Sequence, residues 1–303
     1  MSALAESPVL VVPARRAPSP TYLGAVGGEM LKLARQGWIW VMLALATLMF
    51  GLLTLVLLEA GGLLDQLRHA PTLFMFNLYD IYLAVFDSGV AIVMLIISAR
   101  LVGMEYSSGT IRVLLGRGAG RLRLLLAKLT ALALLGVCIL AAFLLLVTAT
   151  VYFFAQANGG AARLASLPSH VWGDLVSCIL VALASIAAAI LIGTTAAVVG
   201  RSEAFGAAVA LVFFPADNLL TLVCTLLSSL THWGLWEHLP TFLLGPTLNS
   251  MPLHLETDHV PHAALILPLV RVSTTEAWLV IGGWLVALLL LSLVLTRRRD
   301  VLA

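Results

Sequence analysis

The hydrophobic pattern of the chain consists of long apolar runs separated by shorter polar connections. A helix needs about 20 mostly apolar residues to cross a hydrocarbon core about 30 Å thick. Lipid offers the backbone no hydrogen-bond partners, so such runs fold as helices. The pattern predicts six transmembrane helices, at about residues 38–58, 81–99, 124–154, 175–199, 204–230 and 278–296. The sequence therefore predicts an all-α integral membrane protein.

The segment before the first span has a helical pattern of its own. Four apolar residues recur at helical spacing, and four polar residues cluster on another side. The apolar set is Leu23, Val26, Met30 and Leu33, and the polar set is Glu29, Lys32, Arg35 and Gln36. This pattern is typical of an amphipathic helix lying in the membrane interface, and a plain extension of the first span is the alternative.

Composition supports a membrane protein and excludes a soluble one. Hydrophobic residues make up 61% of the chain and charged residues 11%, whereas soluble domains carry about 25% charged residues. A chain this apolar could not cover its own surface in water. The net charge of +2 gives no reason to expect a nucleic-acid partner.

The basic residues are distributed unevenly between the two sides of a six-span arrangement. Of the 17 Lys and Arg residues, three fall on one side, and these are Arg68, Arg163 and Arg271. The remainder fall on the side that holds both termini, which the positive-inside rule places in the cytoplasm. Residues 1–21 are then expected to be a flexible cytoplasmic tail, and residues 22–303 a single transmembrane domain.

The connection between the second and third spans falls on the cytoplasmic side and is rich in basic residues and glycine. Residues 104–128, MEYSSGTIRVLLGRGAGRLRLLLAK, hold Glu105 and five bases. Arg121, Arg123 and Lys128 are expected to extend their charged ends into water. Two plain interpretations are a basic loop that sets the topology and a patch that binds anionic lipid. A phosphate-binding loop is excluded because no Lys-Ser/Thr follows the glycines.

This connection resembles the cytoplasmic signature of type-2 ATP-binding-cassette (ABC) permeases. The family pattern is a Glu, then Ser/Gly-Thr-Ile/Leu-Arg, an apolar patch, a basic turn and a Lys that opens the third span. The matching residues are Glu105, Ser108, Gly109, Thr110, Ile111, Arg112, Leu114, Leu115, Arg121 and Lys128. The six spans and the long outer segment before the last span extend the resemblance over nearly the whole chain.

The resemblance implies a role for this connection and for partner proteins. Residues from Glu105 to Leu115 would include a coupling helix that docks into an ATP-hydrolysing subunit. The chain contains no Walker A motif, so ATP and Mg would be bound by a separate ABC ATPase and not by this chain. A second permease copy or a homologous permease would complete the transporter. Short re-entrant helices are implied in the outer segment before the sixth span.

Two aspartates and a neighbouring asparagine lie inside predicted spans, where such polar groups are costly. Asp87 falls in the second span, and Asp217 and Asn218 fall in the fifth. Intramembrane carboxylates cost about 2.5–3.5 kcal/mol on insertion scales, so a compensating role is expected. A polar substrate path is one interpretation, and hydrogen-bonded contacts between helices are the other.

The outer segment from Thr231 to Glu276 is rich in histidine. His254, His259 and His262 lie close to acidic residues, so they are weak candidates for a metal site. Their spacing matches no standard metal site, and a solvated or packed loop is the alternative.

The function expected from these features is that of a permease subunit of an ATP-driven exporter in the cell membrane, surrounded by lipid and without enzymatic activity of its own. A lipophilic or peptide-like substrate fits the apolar walls. Two other classes stay open: an ion-coupled secondary transporter using the intramembrane aspartates, and a membrane-embedded enzyme using the outer histidines.

Overall fold

The computed structural model describes residues 21–59, 63–108, 120–160, 169–255 and 272–298. This described part of the chain is helical and holds no strand. Its helices, in chain order, are α1 (Tyr22–Ala34), α2 (Gly37–Glu59), α3 (Leu63–His69), α4 (Pro71–Ser107), α5 (Arg121–Ala157), α6 (Ser169–Gly200), α7 (Glu203–Thr231), α8 (Leu235–His238), a 3-10 turn (Leu239–Phe242), α9 (Leu244–Leu255) and α10 (Thr274–Arg298).

Six of these helices are long and apolar enough to cross a membrane, which confirms the predicted number of spans. They are α2, α4, α5, α6, α7 and α10, and each of the six predicted spans overlaps one of them. The second span begins at Ile81, as predicted, but it runs to Ser107 and so passes the predicted end at residue 99. Phe74 and Leu78 extend α4 at its start because they pack with Val147 and Val151 of α5.

The centre of the fold is formed by α4 and α6, with α7 against both. Small residues let these helices approach closely. A Cβ atom at Gly193 of α6 would clash with Ser98 and with the Leu95 carbonyl of α4, and Gly136 of α5 leaves room for Ile186 of α6. Close contact through small residues is how helices associate in lipid, where apolar burial alone gives little advantage.

The helix bundle has two ends that differ in charge. At one end, called here the basic end, α4, α6 and α10 terminate and α5 and α7 begin. The described bases of this end are Lys32, Arg35, Arg100, Arg121, Arg123, Lys128, Arg201, Arg297 and Arg298. At the opposite end, α7 terminates and α8, the 3-10 turn and α9 lead towards α10.

Several predicted features lie outside the described residues. These are residues 1–20 of the tail, the stretch 109–119 that would hold the coupling helix, His259 and His262, and the side chain of His254. Their predicted roles stay predictions, as does the re-entrant character of the short helices α8 and α9.

Candidate functional site

Four charged side chains, three of them buried, form a cluster at the basic end that joins three helices. Glu29 comes from α1, Glu105 from the last turn of α4 and Lys128 from the third turn of α5. The Lys128 ammonium lies 3.0 Å from Glu29 Oε2 and 2.7 Å from Glu105 Oε1. It also donates to the Leu101 carbonyl of α4 at 3.2 Å. Lys128 therefore holds α1, α4 and α5 together through one amine.

Lys32 of α1 closes the cluster on its outer side. Its amine lies 2.7 Å from Glu29 Oε1 and 3.0 Å from Glu105 Oε1. Two carboxylates are thus matched by two amines, and the cluster is neutral overall. This balance matters because taking single charges out of water is costly unless each is paired.

Burial differs sharply between the members of the cluster. Glu29 and Lys128 are each 3% exposed and Glu105 is 5% exposed, whereas the Lys32 side chain is 43% exposed. Burial alone lowers the pKa of Lys32, but hydrogen bonds and charge from Glu29 and Glu105 outweigh it and raise the pKa above its usual value. Lys32 is therefore held in its charged form by the two carboxylates.

One oxygen of the cluster has no hydrogen-bond partner in the described part of the chain. Glu105 Oε2 is buried and has no hydrogen-bond partner among the described residues. The other oxygen, Oε1, accepts from both lysines. Glu105 thus depends on a single shared oxygen for its compensation, which makes it sensitive to the loss of either amine.

A second set of contacts lies beside the cluster and joins α4 to α2 and α7. Arg100 Nε is 3.1 Å from Glu203 Oε1 at the start of α7, and the Arg100 guanidinium lies 5.0 Å from the ring centroid of Trp38. Gly103 allows close approach here, because a Cβ atom on it would lie 2.6 Å from the Glu203 Cα atom. The last turns of α4 are therefore tied to the helices on each side.

The structure places Asp217 and Asn218 in a contact between α7 and α9. Asp217 Oδ2 accepts from the Gly245 backbone N–H at 2.6 Å, and Asn249 Nδ2 donates to Asn218 Oδ1 at 3.2 Å. Gly245 is the second residue of α9, so Asp217 compensates an N–H that the helix itself leaves without a partner. These hydrogen bonds correspond to the interpretation of both residues as contacts between helices.

Asp87 is set apart from both polar sites. Its Oδ1 atom is buried in the span formed by α4 and has no hydrogen-bond partner among the described residues. Its predicted place on a substrate path stays a prediction. Within the described ranges, no group of three or more His, Cys, Asp or Glu residues could hold a metal ion.

Only two of the eight predicted coupling residues fall within the part of the chain that the structure describes. Glu105 and Ser108 are described, and the Ser108 hydroxyl donates to the Met104 carbonyl at 2.6 Å at the end of α4. The others, Gly109, Thr110, Ile111, Arg112, Leu114 and Leu115, lie outside the described residues. Glu105 and Lys128 lie on either side of that stretch and bind each other.

Two members of the cluster were misjudged from the sequence. Lys128 was expected to extend into water, and Glu29 was placed on a polar side of an amphipathic helix, yet both are buried. The helical spacing of Val26, Glu29 and Leu33 puts all three on one face, which was the available signal.

Comparison with known proteins gives the chain a family. The model of a family described as "ABC-2 family transporter protein" matches residues 25–217. No curated protein matches the chain. The matched stretch holds α2 to α6, most of α1, and α7 as far as Asp217, and it includes all four charged residues of the cluster. Because it covers more than half of the chain, this multi-pass membrane protein belongs to the ABC-2 family and is a permease of the ABC-2 type.

Proposed function

We propose that this chain is the membrane-spanning permease subunit of an ATP-driven exporter in the cell membrane, with both termini in the cytoplasm. A separate ABC ATPase binds ATP and Mg and docks on the connection between α4 and α5. A second permease copy or a homologous permease completes the path for a lipophilic or peptide-like substrate. The basic end of the bundle then faces the cytoplasm, in line with the positive-inside rule.

The observation that carries this proposal is the ion pair that closes the base of the α4–α5 connection. Glu105 lies shortly before the stretch 109–119 and Lys128 lies shortly after it. The Lys128 ammonium and Glu105 Oε1 are 2.7 Å apart. A push on the connection therefore acts on two long helices whose ends are tied together. Rigid helices tied at one end can carry a displacement through the membrane to the opposite end.

The coupling residues fit this proposal by their position and type. Gly109, Thr110, Ile111, Arg112, Leu114 and Leu115 follow Glu105 and Ser108 directly in the sequence. They combine an apolar patch with one base, the composition that suits a surface docking into a protein cleft. Glu105 is buried and pairs with Lys128. Its role is therefore to hold the two ends of the connection together and not to contact the ATPase.

The proposal is tested by replacing residues 109–115 with a Gly/Ser linker of equal length. The wild-type chain is expected to co-purify with an ATP-hydrolysing protein, and the variant is expected to lose it. A matched control replaces residues 161–167, the connection at the opposite end, with the same linker and should keep the partner. Unchanged complex formation and unchanged ATP turnover in the 109–115 variant would contradict the proposal.

The two alternative classes receive less support. For an ion-coupled transporter, the Asp217 carboxylate is engaged with the Gly245 N–H, so Asp87 alone would remain as an ion-exchanging group. An enzyme built on His254, His259 and His262 would depend on residues outside the described part of the chain. Neither alternative accounts for a neutral charge cluster beneath the α4–α5 connection.

A further inference from the structure

Helix α1 is attached to the same cluster that closes the α4–α5 connection. Glu29 gives one oxygen to Lys32 and the other to Lys128, so α1 is linked directly to α5. Near its start, the Tyr22 hydroxyl lies 2.7 Å from Thr130 Oγ1 of α5. Helix α1 is thus connected to α5 at two points along its length.

The attachment matters because α1 is too short to be stable as an isolated helix. It has 13 residues, and isolated helices shorter than about 12–15 residues are marginal in water. Its described buried side chains are Val26, Glu29 and Leu33. Val26 and Leu33 belong to the main hydrophobic core, and the ionic contact of Glu29 adds to this packing in fixing α1 against the bundle.

We propose that α1, the last turns of α4 and the first turns of α5 move as one mechanical unit, and that Glu29 and Lys128 are the positioning residues that hold it together. A displacement of the α4–α5 connection then moves α1 as well, and the ends of α4 and α5 do not separate. The existence of the unit is independent of any partner. Its use in coupling to an ATPase rests on the proposed function.

The four charges allow the unit to be broken without leaving an unbalanced charge. The double variant E29Q/K128M removes one carboxylate and one amine, and it leaves Lys32 and Glu105 as a pair already 3.0 Å apart. It loses every ionic link to α5. The double variant E29Q/K32M does the reverse, since it keeps the Glu105–Lys128 pair and removes both charges from α1. Arg35→Gln, at an exposed base that ends α1, is the matched control.

The unit is tested by the distance between two spin labels, at the exposed positions Leu31 of α1 and Leu122 of α5. The isolated permease is reconstituted in lipid nanodiscs after its three cysteines, Cys138, Cys178 and Cys224, are replaced by alanine. The parent chain and Arg35→Gln should give one narrow distance. Both double variants should give a broad distribution of distances. The single variant Lys128→Arg keeps the positive charge and should keep the narrow distance. An unchanged narrow distance in both double variants would overturn the unit.

The coupling role is tested with the ATPase that co-purifies with the chain. The measurement is the ATP turnover of the complex relative to that of the ATPase alone. Coupling changes of this kind are worth roughly 2–30-fold, and E29Q/K128M should lose that much of the ratio while it still forms the complex. A wild-type ratio in this variant would overturn the coupling role. If no ATPase co-purifies, the coupling role falls with the proposed function, and the label distances still decide whether the unit exists.

Discussion

The two ends of the bundle join their helices through polar contacts of different kinds. At the basic end, two carboxylates and two amines join α1, α4 and α5 through ion pairs between side chains, and Lys128 adds a hydrogen bond to the Leu101 carbonyl. At the opposite end, the Asp217 carboxylate binds the Gly245 N–H, and two amides link α7 to α9. The first contact involves four charges in balance, while the second uses one acidic side chain against a helix N-terminus.

This difference has a consequence for how each end responds to change. Removal of one of the three buried charges at the basic end, Glu29, Glu105 or Lys128, leaves the others unbalanced, so the loss extends over three helices. Removal of Asp217 leaves one backbone N–H without its acceptor, so the loss stays local. The comparison predicts a strongly cooperative basic end and a more tolerant opposite end.

The largest effect is expected from Lys128→Met. The substitution leaves Glu29 and Glu105 buried with only Lys32 to compensate them, and breaking a buried charge pair in this way costs about 3–5 kcal/mol. Thermal unfolding of the purified chain in detergent measures it. The double variant E29Q/K128M should be more stable than Lys128→Met because its charges balance again. A double variant less stable than the single one would contradict the account.

A smaller loss is expected from Gly103→Ala at the basic end. The new Cβ atom would lie 2.6 Å from the Glu203 Cα atom, and backbone atoms cannot move aside cheaply, so overpacking should cost about 1–3 kcal/mol. Gly245→Ala is the matched change at the opposite end, where the nearest atom is the Asp217 Oδ2 atom at 3.0 Å. That atom belongs to a side chain that can shift, so the loss should be smaller. Equal losses in thermal stability would remove this distinction between the ends.

A still smaller loss is expected from Asp217→Ala. Polar contacts between helices in membranes are worth about 0.6 kcal/mol on average and up to 1.7. Asp217→Asn should lose less, because its amide oxygen can still accept from the Gly245 N–H. Thermal unfolding of both variants separates the two cases. A loss as large as that of Lys128→Met would show that the opposite end is as cooperative as the basic end.

The smallest effect is expected on the pH dependence of thermal stability at high pH, through Lys32 at the basic end. The pKa of Lys32 is raised in the folded chain, so its contribution is complete below the unfolded value of about 10.4 and is lost as pH rises through the folded value. Lys32 is half-exposed, so the contribution is of the order of a surface ion pair, about 0–1 kcal/mol. Lys32→Met should flatten the loss of thermal stability above about pH 10.4, and Arg35→Gln should not. An unchanged alkaline slope in Lys32→Met would exclude this contribution.

The membrane-spanning part of the fold could be predicted from the sequence because the hydropathy of each local run of residues decides whether that run enters the lipid. The six apolar runs sufficed to place α2, α4, α5, α6, α7 and α10. The extension of α4 back to Pro71 could not be predicted, because residues 71–80 are held by packing on α5 and not by their own hydropathy.

The candidate site was only partly predictable for a different reason. Glu105 was identified through its position in a family motif, but its partners are distant in sequence: Lys128 is 23 residues away and the Glu29–Lys128 pair is separated by 99. Nothing local in a single sequence says which distant charges meet. Polarity alone also placed Glu29 and Lys128 towards water, because unpaired charges belong there, and both are buried only as members of a balanced set.

The most direct test of the account compares the two ends by cross-linking in intact cells. A photoreactive amino acid is placed at Leu114, in the proposed docking stretch, and in a second chain at Trp233, an exposed residue of the opposite end. The account predicts that Leu114 captures a protein that binds ATP and that Trp233 does not. Capture of such a protein from Trp233, or none from Leu114, would contradict it.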